Sequence, residues 1–239
     1  MLGLLLGGCG DDMTTDSGLP DDDAGVTPAD AGEMLDAGEM LDAGEGTDAG
    51  EGTDAGTPML DATVPTGCEG PLASDLCFLR EEEKLARDVY RVLFDDTGIR
   101  VFDNIAASEE QHTTAVRDEL ASRSIPDPVT DDTVGVFVNP TLAGLYTDLI
   151  TAGMADDVAA LTVGATIEDL DIRDLEQMES RTTDAAALAL YANLKCGSRN
   201  HMRSFAGQLE MQGETYVAQY ITADELSAIL SSPRERCGP

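Results

Sequence analysis

His112 and His201 are the only histidines in this 239-residue chain. Each falls on the inward face of an amphipathic helical segment. The same inward faces carry Glu83, Glu109 and Glu168. Glu109-Glu110-Gln111-His112 places a carboxylate and an imidazole three residues apart, one helical turn, so the two side chains converge. Burying three carboxylates without a cation would cost several kcal/mol each, on the order expected for unpaired buried charge, or would force them to protonate. A metal ion removes the conflict, and a mixed carboxylate and imidazole donor set suits iron or manganese. The competing reading is a metal-free polar core in which Arg80, Arg87 or Arg199 pairs with the acids. A lone core histidine is commonly a neutral, hydrogen-bonded residue, and a single Glu-x-x-His is frequent in acidic helices.

Four long helices must position these groups. In the first, from about Asp75 to Asp95, Leu76, Leu79, Glu83, Ala86, Tyr90 and Leu93 alternate at spacings of three and four, which is one helix face. Gly98 ends it. The second runs from about Phe102 to Ser122 with an inner stripe of Ile105, Glu109, His112, Val116 and Leu120. The third runs from about Ala155 to Met178 with Val158, Leu161, Ala165, Glu168, Ile172 and Leu175 inward, and Asp171 lies beyond Glu168. The fourth runs from about Asp184 to Met211, with Leu190, Leu194, Ser198, His201, Phe205 and Leu209 on one face. A Pro- and Asp-rich connection, about Arg123 to Pro140, separates the second from the third. Asn139-Pro140 starts a short helix over about 141–152. Thr222 and Glu225 form a capping box for a last short helix, about Ala223 to Leu230.

Composition agrees with an all-α domain over residues 67–239. Trp is absent, Tyr and Phe number five each, and Ala, Leu, Glu and Met are abundant, all helix formers. Asp and Glu number 47 against 14 Lys and Arg, a formal net charge of −33. Such a surface repels phosphate, so nucleic acid is excluded as a partner, as is attachment to anionic lipid by surface charge.

The N-terminal quarter reads as an address followed by a tether. Residues 1–9, MLGLLLGGC, end in Leu6-Gly7-Gly8-Cys9, which resembles the bacterial lipobox and makes Cys9 the expected lipidation site. The apolar run is too short to span a bilayer. It lacks a basic leading segment, so the start codon is expected upstream. Residues 10–66 are acidic and of low complexity. DAGEML begins at Asp30 and Asp36, DAGEGT at Asp42 and Asp48, and DAGTPM at Asp54. Regular Gly, like charge and few large apolar residues predict a disordered, extended linker. A calcium-binding repeat is disfavoured, because a hexad without a turn does not gather oxygen ligands.

Four stretches carry a family resemblance: Arg80-Glu81-Glu82-Glu83-Lys84-Leu85-Ala86-Arg87-Asp88-Val89-Tyr90, Ala107-Ser108-Glu109-Glu110-Gln111-His112, Ile167-Glu168-Asp169-Leu170-Asp171 and Gly197-Ser198-Arg199-Asn200-His201-Met202-Arg203-Ser204-Phe205. Over roughly residues 75–232 the chain resembles the ferritin-like family called domain of unknown function 2202. More distantly it is similar to rubrerythrin, through Glu83, Ala86, Arg87 and Tyr90. The resemblance implies a ferritin-like four-helix bundle with a long connection between helices 2 and 3 and a short C-terminal helix. Ferritin-like dimetal sites draw one Glu from each of two helices and a Glu-x-x-His pair from each of the other two. The implied ligands are Glu83, Glu109, His112, Glu168 and His201, with Asp171 as an alternative near Glu168 and Tyr90 as a hydrogen-bond donor beside them. One departure stands out: the position three before His201 is Ser198, not Glu. No Cys-x-x-Cys pairs of a rubredoxin-like part are present either.

Cys68, Cys77, Cys196 and Cys237 suggest two disulfides in an exported domain, with three connectivities open. If helices 1 and 4 run parallel, as the resemblance implies, Cys77 and Cys196 lie at similar heights. Two functions fit the whole. One is an exported, lipid-anchored metalloprotein, periplasmic or at the cell surface, that binds iron or manganese and reacts with oxygen or peroxide. The other is a non-catalytic surface module that has lost the metal. Expected partners are metal ions, a membrane through the lipid anchor alone, and further copies of the chain.

Overall fold

A computed structural model describes residues 65–238. The lipobox with Cys9 and the hexad-repeat linker lie outside the described residues. Those described form six helices and no strand: α1 (Pro71–Thr97), α2 (Arg100–Ser122), α3 (Pro140–Gly153), α4 (Asp157–Ser180), α5 (Ala185–Met211) and α6 (Ala223–Ser231). The all-α expectation holds, and the helix limits differ from the sequence reading by a few residues. None of these helices is long and apolar enough to cross a membrane.

Local signals set the ends. Pro71 occupies the first turn of α1, and Gly98 closes it in the left-handed conformation at φ 68°, its N–H donating to Phe94 O. Asn139, Asp156, Asp184 and Thr222 cap α3, α4, α5 and α6 by accepting backbone N–H groups of the first turn.

The four long helices touch in a closed cycle. α1 packs on α2 and α4 on α5, and the pairs meet through α1 with α4 and α2 with α5. α3 lies against α1 and α4. Two apolar clusters fill the interior. One gathers Tyr90, Phe102, Ile105, Leu161, Met202 and Phe205 among others; the second gathers Leu76, Leu79, Val116, Leu120, Leu175 and Leu194. Along α1 and α5 the chain passes from the second cluster to the first, and along α2 and α4 from the first to the second. α1 and α5 therefore run together, opposite to α2 and α4. Two successive long helices, α2 and α4, point the same way, so the chain must cross the full length of the fold between them. Residues 123–156, including α3, make that crossing.

The crossing explains why α1 is buried on every side. Each residue from Leu79 to Tyr90 is buried, charged ones included. The connection supplies partners for several of the charged ones. Arg80 donates to Asp127, Lys84 donates to Asp88 and to Thr133 O, and Arg87 donates to Asp88 and Asp132. Glu81 accepts from the backbone N–H groups of Val138 and Asn139. On α4, Asp169 holds the segment before α6 by accepting from Tyr216 Oη and from three successive backbone N–H groups, Gln219 to Ile221. Buried charges paired in this way are tolerated in a low-dielectric interior.

The cysteines pair as Cys68–Cys77 and Cys196–Cys237. Cys77 and Cys196, at similar heights in the sequence reading, are thus not joined to each other. Cys68 lies just before α1 and Cys237 follows α6, so each disulfide ties an end of the domain to a long helix.

Candidate metal centre

Between the two apolar clusters lies a polar layer. On α1, Glu83 falls between Leu79 and Ala86; on α2, Glu109 and His112 fall between Ala106 and Val116. On α4, Glu168 precedes Leu175; on α5, Ser198 and His201 fall between Leu194 and Phe205. All four helices thus contribute at one level.

Glu109 is the hub. One of its oxygens lies 2.6 Å from His112 Nδ1 and the other 2.7 Å from His201 Nδ1. His112 Nδ1 is also 3.2 Å from Glu83 Oε2, and His201 Nδ1 is 3.5 Å from Glu168 Oε2. The two imidazole rings stack with centroids 5.5 Å apart. Two trios result, each with donor atoms within 4.8 Å of one another: Glu83, Glu109 and His112, and Glu109, Glu168 and His201. They share Glu109.

The surrounding groups hold these donors in place. Tyr90 donates to Glu168 Oε1 at 2.5 Å. His201 Nε2 faces Ser108 Oγ at 3.0 Å, which leaves Nδ1 toward the carboxylates. Although Nδ1 is close to Glu109, it is not aligned for a hydrogen bond and has no partner. Glu83 Oε1 is also buried and unpartnered. A Cβ on Gly197 would stand 2.6 Å from both His112 Cε1 and His112 Nε2, so only glycine leaves room for the ring there.

Asp171 belongs to neither trio. Ser198 Oγ donates to Asp171 Oδ2, while Oδ1 is buried without a partner. The serine that replaces the expected glutamate thus meets a carboxylate from α4 instead.

The electrostatics follow from burial. Burial raises Glu83 to about 7, partly offset by His112. Burial and the charge of Glu83 hold Asp171 well above the carboxylate range. Burial alone would lower Glu109's neighbours His201 and His112, but the carboxylates around them reverse the sign; His201 rises to about 10 and His112 rises well above its ordinary value. Glu109 is moved down by the two histidines against the opposing effect of burial. Without a metal, the layer must retain protons to be neutral.

The arginines do not relieve this charge. Arg80 and Arg87 turn to the connection, and Arg199 pairs with Glu235. Among the described residues, the bases named in the metal-free reading are therefore spent elsewhere. The sequence reading missed Ser108, Gly197 and Glu82. Ser108 lies one turn before His112 and Gly197 one turn before His201, and a small residue one turn from a predicted ligand is the available signal. Glu82 is buried, and neither of its oxygens has a partner among the described residues; in sequence it is one of three consecutive glutamates.

Residues 73–233 match the family described as Uncharacterized protein domain (DUF2202). The chain belongs to this family. The DUF2202 domain thus coincides with the helical region that carries the polar layer. A relative, Uncharacterized protein MJ0754 of Methanocaldococcus jannaschii, is 49% identical over 158 residues, covering 66% of this chain and 85% of that protein. The crystal structure of hypothetical protein MJ0754 superposes with a TM-score of 0.67 at 48% identity, covering 68% of this chain and 93% of that one.

Proposed function

We propose that this DUF2202 chain is an exported, lipid-anchored protein of ferritin-like four-helix type that binds a pair of iron or manganese ions in its polar layer. The observation that carries the reading is Glu109, whose two oxygens reach the two histidines. That is how a carboxylate bridging two ions is disposed. The donor set fits: three carboxylates and two imidazoles, buried, with Nδ1 of His201 and Oε1 of Glu83 lacking partners, and mixed O and N donors typical of iron and manganese. The helix directions support it as well, since one long crossover between the second and third long helices is the ferritin-like connection.

A bound pair would supply one-electron steps toward dioxygen or peroxide. The chain's own residues bind and orient. Glu83 and His112 would hold one ion, Glu168 and His201 the other, and Glu109 both. Ser108 holds the His201 ring through Nε2 and Tyr90 donates to Glu168. The apolar clusters on either side keep water from the two ends of the layer. Export and anchoring are supported by the lipobox at Cys9 and by the two disulfides, which form in oxidising compartments; a periplasmic or cell-surface location follows from that.

Ser198 favours the second reading, a non-catalytic surface module that has kept the helices and lost the metal. Metal analysis separates them. Purified full chain supplied with Fe(II) or Mn(II) should retain close to two ions, and Glu109→Ala should retain neither. A wild-type chain without metal, with a normally folded His112→Ala/His201→Ala variant, supports the module.

A further inference from the structure

A cleft of about 400 Å3 opens between α2 and α5 onto the two histidines; its lining includes Gln111, His112, Asn193, Gly197, His201 and Arg234. His112 is the most accessible member of the polar layer, its side chain 12% exposed against 2–5% for Glu83, Glu109, Glu168 and His201. Among the described residues no carboxylate lines the cleft, on a chain whose net charge is −33. The residues after α6 form one wall. Cys237 is joined to Cys196. Asn200 exchanges two hydrogen bonds with the Glu235 backbone, and the Glu235 carboxylate takes Arg199 and Arg203. All these anchors lie on the stretch of α5 that also presents Gly197, Ser198 and His201.

We infer that this cleft is the port by which small neutral or anionic polar molecules reach the proposed metal pair, and that residues 234–238, fastened through Cys237 and Glu235, are the wall that limits its width. The inference rests on the metal reading. The chemistry of the lining selects the class. Amide, hydroxyl and imidazole groups exchange hydrogen bonds with small polar molecules, and Arg234 at the rim adds a positive charge. The volume holds on the order of ten waters, each occupying about 30 Å3 in the liquid, which admits small molecules.

The test uses diethyl pyrocarbonate, a small neutral reagent that acylates imidazole, on metal-free full chain at one pH. Mass spectrometry reads modification at His112 and His201. Gln111→Trp and Asn193→Trp narrow the port and should slow modification of His112 several-fold. Cys196→Ser/Cys237→Ser and Glu235→Ala free the wall and should speed it several-fold. Circular dichroism and thermal melting select the variants that fold, and the two of each kind guard against loss of one. Unchanged rates in folded tryptophan variants overturn the port; unchanged rates in folded wall variants overturn the role of the fastened wall. Iron and manganese content of the same proteins reads the metal proposal separately, so a chain that keeps this modification pattern but never holds metal fails on the metal reading alone.

Discussion

Gly197 of α5 and His112 of α2 are in contact so close that a single added carbon would overlap the ring, at 2.6 Å from two of its atoms. The backbone of one helix is thus shaped around a side chain of another. Gly197→Ala must displace His112 from Glu109 and Glu83. We expect a loss of about 1–3 kcal/mol in stability from overpacking and loss of metal at the His112 side. Thermal melting and metal content check this. A variant with wild-type stability and full metal content would show that His112 is not held by this contact.

Tyr90 donates to Glu168 and packs between Phe102 and Phe205, with ring centroids 6.1 and 5.2 Å away. Tyr90→Phe keeps the packing and removes the donor. The buried carboxylate then lacks a partner, at a cost of about 1–3 kcal/mol. Groups that orient metal ligands typically alter affinity about 10–100-fold, and competition with a chelator should show a weakening of that size. Unchanged affinity would place Glu168 outside the metal's reach.

Much of this arrangement was visible in the sequence. The stripe of Leu76, Leu79, Glu83, Ala86 and Tyr90 places Glu83 inward because spacings of three and four mark one helix face, and the same logic found Glu109, His112, Glu168 and His201. Periodicity reports only one face, however. It gave no sign that Glu81, Lys84 and Arg87 are buried on the other side of α1, because their cover comes from residues 123–139, distant in sequence and without a period. The disulfide partners were equally hidden: the partner of Cys196 follows α6 and is 41 residues away. Ser108 and Gly197 escaped notice because their roles lie in contacts with other helices.

Protons and metal compete for one set of groups. Glu83 is raised by burial to about 7, and His201, despite the opposing effect of burial, is raised by Glu109 and Glu168 to about 10. Both folded values exceed the ordinary ones of 4.5 and 6.5. In the metal-free protein, stability from His201 is therefore full below 6.5 and is lost as pH rises through about 10; Glu83 acts in the same direction between 4.5 and about 7. A metal must displace these protons, so its apparent affinity rises with pH. Calorimetric melts across this range should show metal-free Tm falling and the gain on adding metal growing. A gain independent of pH would mean that the ion binds elsewhere.

Asp184 precedes α5, caps it by accepting from Ala187 N and pairs with Arg123 of the connection. The Arg123 guanidinium holds the Asp184 carboxyl at about 2. Its folded value lies below the ordinary 3.8, so this contribution is present above 3.8 and is lost as pH falls through about 2. Asp184→Ala should lower the Tm at neutral pH through loss of the cap and leave metal content unchanged. A wild-type Tm would show that the cap contributes nothing.

The shared carboxylate is the centre of the account, and anomalous diffraction from crystals of the full chain loaded with iron tests it most directly. Two peaks should flank Glu109, one beside Glu83 and His112 and the other beside Glu168 and His201. A loaded crystal with no peak within reach of Glu109, or with iron only at surface carboxylates, would contradict it.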